Sequence, residues 1–432
     1  MIPIFLSIGL GALTVFAQNS YADKICTVVS SNGTSDDSPA ISSAFAKCAS
    51  GGTVVFEEGV DYNVFTPISA TNLTDVTIQM YGNLHLPQDI DATRKLVLSK
   101  SSNTYWFTLK GSGVHWEGAK SITSGWVNSY GQPWWDANPA NGTGITGRPH
   151  LMSFDVEGGS IKRFRSRKPI AWNVKVEGSD IDISDSIIDA VSNSQAFPFN
   201  TDAFDVGAQN VRITNLEAFN GDDAVAINNG AHNVHVSDST IGYQTHGLSI
   251  GSLGKDQSSF ANVSNIHFDR ISVAGGLYAA RFKSWVGGQG LCSNVTWSNI
   301  KIHNVTFPVF INQQYVDQGS AGSAERPNNS SVVLKDFTFE NFTGDINSFH
   351  PGDGSCATDP CWYDIGLPDL SQTEAMIIEC NTNSSCSGFK SSNINIYPQK
   401  QQAPTVICMN AGAELNPELG FECANGTFAP TQ

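Results

Sequence analysis

Apolar and polar residues alternate in short bursts along this chain. From about residue 70 onward, segments rich in Val, Ile, Thr and Phe recur every twenty to thirty-five residues, each bounded by Gly, Asn, Asp or Ser. Instances are NVRITNLEAFN from Asn210, NVHVSDSTIG from Asn233, VSNIHFDRISVAG from Val263, NVTWSNIKIHNVTF from Asn294 and SVVLKDFTFENFTG from Ser331. Such runs read as strands, and the small polar residues between them as turns. Helical spacing is almost confined to Ser38–Cys48, where DDSPAISSAFAKC carries a capping residue, an early Pro and apolar positions at helical intervals.

An all-β chain of short, repeated strands can close as a propeller, a sandwich or a solenoid. The spacing is too irregular for propeller blades, and the hairpin dipeptides of an antiparallel sandwich are scarce. The expected fold is therefore a right-handed parallel β-helix, with a sandwich as the alternative. Each repeat forms one coil, loops of variable length leave from one side, and the N-terminal helix caps the open end of the core. The 432 residues are 40% hydrophobic and no linker divides them, so one elongated domain over residues 23–432 is expected.

The first seventeen residues, MIPIFLSIGLGALTVFA, are an apolar run ending in small residues at Val15 and Ala17, as in a signal peptide. Cleavage is expected after Ala17, with Ala22 as second choice, and the mature chain is expected to be soluble and extracellular. A basic start is missing, which leaves a membrane anchor as the alternative, but about 15 apolar residues fall short of the ~20 a spanning helix needs. All nine cysteines lie beyond this leader, and eight form close pairs: Cys26 with Cys48, Cys356 with Cys361, Cys380 with Cys386, Cys408 with Cys423. Four local disulfides are expected, with Cys292 left as a buried thiol. Sequons at Asn32, Asn72, Asn141, Asn262, Asn294, Asn304, Asn329, Asn341, Asn383 and Asn425 fit a secreted glycoprotein, although several could serve as turn or strand asparagines. A net charge of −16 without any basic run argues against nucleic acid and anionic membrane as partners.

If one repeat is one coil, residues a repeat apart stand on neighbouring strands about 4.8 Å apart. Asp202 lies 21 residues before Asp223, which lies 23 before His246; Arg281 follows 35 later and Tyr315 another 34 beyond. One vertical polar stripe is expected, walled by inserted loops. Arg281 and Lys283 in AARFKSW share a strand face, with Phe282 turned to the other. Two cations among apolar neighbours in an acidic protein make a site for a carboxylate, the alternative being a solvated strand face. Asp222 and Asp223 in NGDDAVAIN serve one site only if the chain bends there, which Gly221 permits. Their repulsion raises one pKa, as a general acid requires. A calcium site and a plain acidic turn are the other readings. His246 in QTHGLSIGSLG, one coil from the Asp pair, could orient a carboxylate or touch a substrate; a structural histidine is the alternative.

At these residues the sequence resembles glycoside hydrolase family 28, the polygalacturonases and related pectin hydrolases. Four motifs occur in the family's order: NTDAFD at Asn200, GDD at Gly221, THGLSIGS at Thr245 and RFK at Arg281, where the family has patterns close to NTDG, DD, GHG and RIK. WWD at Trp134 and the Tyr315 neighbourhood add to it, and the likeness runs from about residue 25 to residue 400. The resemblance implies a right-handed parallel β-helix and hydrolysis with inversion at the anomeric carbon, without metal or other cofactor. It implies Asp222 as the general acid that protonates the glycosidic oxygen, and Asp202 with Asp223 as activators of water. It further implies that His246 supports the acid, that Asn200 and Tyr315 help hold the sugar, and that Arg281 and Lys283 bind a galacturonate carboxylate. Inverting enzymes hold their carboxyl groups about 6.5–9.5 Å apart, a separation of the order of one or two coil steps of about 4.8 Å.

Three departures mark the motifs: Ala203 replaces the Gly after the first Asp, Phe282 a common Ile, and Thr245 the Gly before His. A family cysteine pair is replaced by Ala224 and Gly242, so rigidity there is expected from packing. SLGKDQSSFANV, KSWVGGQG and HPGDGSCATDPCWYD look most like the exo-acting fungal members, which release galacturonate from the non-reducing end of polygalacturonate; a monomer is implied. The rivals are an endo-polygalacturonase, a rhamnogalacturonan or xylogalacturonan hydrolase, a calcium-using pectate or pectin lyase, and a non-catalytic wall-binding β-helix. Trp106, Trp116, Trp126, Trp134 and Trp135 are read as core packing for the most part, with sugar platforms as the alternative.

Overall fold

The computed structural model describes residues 24–100, 104–319, 330–367 and 370–420, with the backbone of 426–428. The expected leader, the sequons at Asn329 and Asn425, and Cys423 lie outside them. The strands stack in parallel, each pairing with the strand one coil on, and build a right-handed parallel β-helix that ends in one antiparallel pair, Thr405–Met409 with Gly426–Phe428. A single repeat contributes several short strands rather than one: Phe204–Val206, Gln209–Thr214 and Glu217–Asn220 are consecutive sides of one coil.

Inside the coil, apolar side chains stack in files. Val176, Val206, Ile227, Ile250, Phe282, Ile311, Ile378 and Cys408 stand opposite one another on successive strands, all but fully buried. Phe282 thus occupies a core position between Ile250 and Ile311, which is what turns Arg281 and Lys283 outward on the strand Tyr278–Ser284. Burial of such a file drives the stacking, at roughly 1.5–3 kcal/mol for each large apolar side chain.

The corners are made by residues in the left-handed region, largely asparagines and aspartates, whose side chains hydrogen-bond the next corner. Asn210 Nδ2 donates to Asp180 Oδ1 (2.9 Å) and Asn233 Nδ2 to Asn210 Oδ1 (2.8 Å). Asn and Asp tolerate this conformation better than other side chains. Two of the sequon asparagines belong to such ladders, Asn294 donating to Asn265 (2.8 Å) and Asn341 to Asn299 (3.0 Å).

The helix Ser38–Lys47 closes the N-terminal end, burying Ile41, Ala44 and Phe45. Asp37 stands at its cap position, yet its carboxylate accepts from Ser31 N (2.6 Å) and Asn63 N (2.8 Å), tying the helix to the first coils instead of capping it. Cys26–Cys48, Cys356–Cys361 and Cys380–Cys386 are disulfides, and Cys292 is a buried free thiol. Trp106, Trp116, Trp126, Trp134 and Trp135 are 0–6% exposed and buried. Among the described residues no helix is long and apolar enough to cross a membrane.

Candidate active site

On the outer face, where the turns enter the strands Phe204–Val206, Asp223–Ile227, Gly247–Leu253 and Tyr278–Ser284, polar residues converge on one pocket of about 540 Å³. Asn200, Asp202, Asp222, His246, Arg281, Lys283 and Tyr315 all line it. Asp223 does not. It lies behind the pocket floor, 1% exposed, accepting from Lys283 Nζ (2.7 Å) and Ser249 Oγ (2.5 Å), with Arg281 at 3.5 Å.

The residues meet, but not as one vertical stripe. Asp223 stands opposite Gly247, with a register shift after it, and Arg281 pairs with Ser249 and Phe310 rather than with His246 and Tyr315. Tyr315 reaches the pocket from the turn after the strand Phe307–Asn312, and His246 from the turn before Gly247–Leu253. Coil spacing counts residues; it cannot separate turn from strand.

A local clamp presents Asp222. Asn220 Nδ2 donates to the carbonyls of Thr201 (3.1 Å), Asp222 (2.8 Å) and Asp223 (3.1 Å), and Thr245 Oγ1 donates to Asp222 O (3.0 Å). Rigidity here thus rests on hydrogen bonds as well as packing, and Thr245 is an active part of it. At Gly242 there is no room for the family's cysteine, since a Cβ would stand 2.3 Å from Ala274 O. Gly221 matters for space rather than for conformational freedom: a Cβ there would meet Pro198 at 2.5 Å.

Electrostatics divide the carboxylates in a direction opposite to expectation. Burial would raise Asp222, but the charge and hydrogen bond of His246, with Lys283 and Arg281, hold it below the usual carboxylate range. Asp202 has no histidine partner, and burial together with the charges of Asp222, Asp205 and Asp223 outweighs Lys283 and pushes it well up. The repulsion anticipated between Asp222 and Asp223 therefore shows at Asp202. His246 is pushed up to about 9: burial alone would lower it, but Asp222 and Asp353 prevail. Proton affinity is thus raised at His246 and Asp202 and lowered at Asp222.

Sequence reasoning missed several participants. Asp353 accepts from His246 Nε2 at 2.8 Å while His246 Nδ1 faces Asp222 Oδ1 at 2.9 Å. Gln318 Nε2 approaches Asp222 Oδ2 at 3.4 Å, beside Asn200 Nδ2 at 3.3 Å. Arg148 donates to Phe199 O (2.7 Å) and Asn200 Oδ1 (2.8 Å), fixing the amide that faces Asp222. Trp172, stacked on His150 at 4.3 Å, lines the pocket where the five tryptophans considered above do not. Loop residues with no periodicity carry all of these, and only a neighbouring Cys pair in HPGDGSCATDPC hinted at an ordered loop.

Arg281 sits in an aromatic box, its Cζ 4.3 Å from the Tyr278 ring, 5.2 Å from Trp362 and 5.7 Å from Tyr315. Among the described residues, Arg281 Nε and Asp202 Oδ1 are buried without a hydrogen-bond partner. A buried donor and a buried acceptor left over at a pocket suit a ligand bearing both an anion and a reacting water. Asp222, Asp223 and His246 bring potential metal-ligating atoms within 4.8 Å of one another. Yet both ring nitrogens of His246 are engaged by carboxylates, and Asp223 is taken up by Lys283, Ser249 and Arg281, so the donor set is committed to protein partners.

Comparison with known proteins places this constellation. The profile of the glycosyl hydrolases family 28 matches residues 60–386, and the chain belongs to that family. It is similar to the "Probable exopolygalacturonase C" of Aspergillus flavus, 59% identical over 93% of this chain and 91% of the relative, and to that of Aspergillus niger, 57% identical over 93% and 90%. Among solved structures, the endo-xylogalacturonan hydrolase from Aspergillus tubingensis superposes with a TM-score of 0.72 at 24% identity, over 93% of this chain and 99% of that one. That likeness is one of fold.

Proposed function

We propose that this chain is a secreted, exo-acting polygalacturonase that removes galacturonate from the non-reducing end of the α-1,4-galacturonan backbone of pectin, with inversion. The observation that carries the reading is the union, in one pocket, of Asp202 and Asp222 with the cationic pair Arg281 and Lys283. The names of the relatives that share more than half of its residues support it. Exo action is supported by the names of those relatives, and Thr143 and Gly319, from two separate loops, both line the pocket. The disulfides fit an oxidising, extracellular setting.

In this reading a sugar carboxylate seats on Arg281 and Lys283. These are two of the groups that hold Asp222 ionised, so the incoming anion raises the proton affinity of Asp222 beside the glycosidic oxygen. The high proton affinity of Asp202 makes it the source of that proton, which passes to Asp222, is delivered to the leaving oxygen and leaves Asp202 ionised as the base. Asp202, backed by Asp223, takes a proton from the water that attacks the anomeric carbon. Asn200 and Gln318 steady the Asp222 carboxylate from the pocket side, and Tyr315 walls the sugar.

The test is the time course of products from polygalacturonate. Monomer alone from the first minutes is expected; a ladder of oligomers would mean endo cleavage, and an ultraviolet-absorbing unsaturated uronide would mean elimination. Either of the last two overturns the proposal.

A further inference from the structure

The segment 353–367 arches over the outer face of the coil and is closed on itself by the Cys356–Cys361 disulfide. It reaches the site at two places. Asp353, whose side chain is 0% exposed, accepts from His246 Nε2 (2.8 Å). Trp362 lies 5.5 Å from the His246 ring and 5.2 Å from the Arg281 guanidinium. Asp353 is itself held rigidly: its Oδ1 accepts from Ser355 N (2.9 Å) and Ser355 Oγ (2.7 Å), and Gln244 Nε2 donates to its carbonyl (2.5 Å). Ser355 Oγ in turn accepts from Trp362 Nε1 (3.2 Å).

We infer that Asp353 is a positioning residue for the hydrolysis: it holds the His246 imidazole between two carboxylates, so that His246 meets Asp222 as a charged donor with its Nδ1 hydrogen fixed on Asp222 Oδ1. The inference rests on the reading of Asp222 as the acid. Its basis is geometric. An imidazole with carboxylates on both nitrogens, buried completely, must be a donor at both. Phe197, Tyr278 and Trp362 surround the ring, so water cannot substitute for either partner. The groups facing His246 are Asp222 and Asp353 directly and the Tyr278 phenol at its edge; Arg281 and Lys283 act on it through Asp222. The raised proton affinity of His246 agrees with this arrangement.

Asp353→Asn is a clean probe. Its remaining oxygen can still take the Ser355 hydrogen bonds, while its amide now donates to Nε2 and so favours the neutral ring. Losing one of the two partners that raise its pKa, His246 gives up its proton at a lower pH. On polygalacturonate we expect kcat to fall about tenfold with KM within about twofold of the parent, and the alkaline limb of kcat to move down by about one pH unit. An imidazole NMR titration without substrate, with His246 assigned through His246→Gln, should show the same downward displacement. Asp353→Glu should recover part of kcat. An unmoved His246 titration in Asp353→Asn, or a kcat loss with the alkaline limb in place, overturns the inference, because a merely structural role would move neither. Should the parent fail to release galacturonate, the functional reading falls while the titration still decides the role of Asp353.

Discussion

The pocket has two walls of different construction. One is the stacked coil, which presents Asp202, Asp222, His246, Arg281 and Lys283 from the turns and strands of four successive coils. The other is built of loops: 138–148 brings Thr143 and Arg148, 313–319 brings Tyr315 and Gln318, and 353–367 brings Asp353 and Trp362. The coil wall is locked by backbone ladders and a buried apolar file, so its groups stand at spacings that side-chain rotation hardly alters. The loop wall touches the same groups from outside, through one or two hydrogen bonds each. Such a division puts the reacting atoms on the rigid element and the tuning of charge, access and chain-end selection on the variable one.

The comparison breaks most sharply at Asp222. Asp222→Asn keeps the shape but turns an amide donor onto groups that donate to the carboxylate, and it cannot deliver a proton, so kcat on polygalacturonate should fall about 10³- to 10⁴-fold with the fold intact by circular dichroism. Asp202→Asn should lose a similar factor for a different reason, the water no longer having a base. A 4-nitrophenyl galacturonide separates them, because its leaving group departs without protonation. Activity of Asp222→Asn on that substrate should approach the parent's, and that of Asp202→Asn should not. The reverse pattern would exchange the two roles, a result that the high proton affinity of Asp202 makes worth seeking.

The same division explains how far the sequence could be read. All eight residues singled out beforehand lie in or directly behind the pocket, since solenoid repeats translate sequence spacing into stacking. What failed within the coil was register: Arg281 stands opposite Ser249 and Phe310, while His246 and Tyr315 lie in the turns beside those strands, and no count of residues separates turn from strand. Asp353 could not have been found by spacing, for it lies 107 residues beyond His246 in a loop without period. Nor could the ordering of proton affinities, which depends on which carboxylate His246 touches. Trp172 escaped because five better-clustered tryptophans drew the eye, and those are buried.

A smaller effect is expected at the cationic pair. Arg281→Gln removes the charge that would meet the sugar carboxylate but leaves Lys283 in place, paired with Asp223 at 2.7 Å. Losing one partner of a desolvated charge pair costs about 2–5 kcal/mol, and the remaining cation should hold the loss near the lower end, a rise of about thirtyfold in KM. Because Arg281 also helps keep Asp222 ionised, kcat should change less than KM. If KM for polygalacturonate were unchanged, the carboxylate would have to bind elsewhere and the coil wall would lose its claim to substrate recognition.

The smallest effect belongs to the loop wall. Gln318 is 9% exposed and its amide reaches Asp222 Oδ2 at 3.4 Å, a long contact that Asn200 duplicates at 3.3 Å. At this length the bond falls short of the ~1.5–3 kcal/mol of a well-made hydrogen bond to a charged group, so Gln318→Ala should lower kcat only about two- to tenfold. The direction of its pH effect is fixed by geometry. Gln318 donates to the ionised carboxylate, so its loss makes Asp222 easier to protonate, and any displacement of the alkaline limb must be towards higher pH. That limb reports the coupled Asp222–His246 pair, and Asp353→Asn, which takes an anion away from the pair, is expected to displace it the opposite way. Opposed displacements from two loop residues, with Asp222→Asn leaving nothing to displace, would establish that the loops adjust a proton that the coil alone delivers; parallel displacements would mean that both act merely by loosening the pocket.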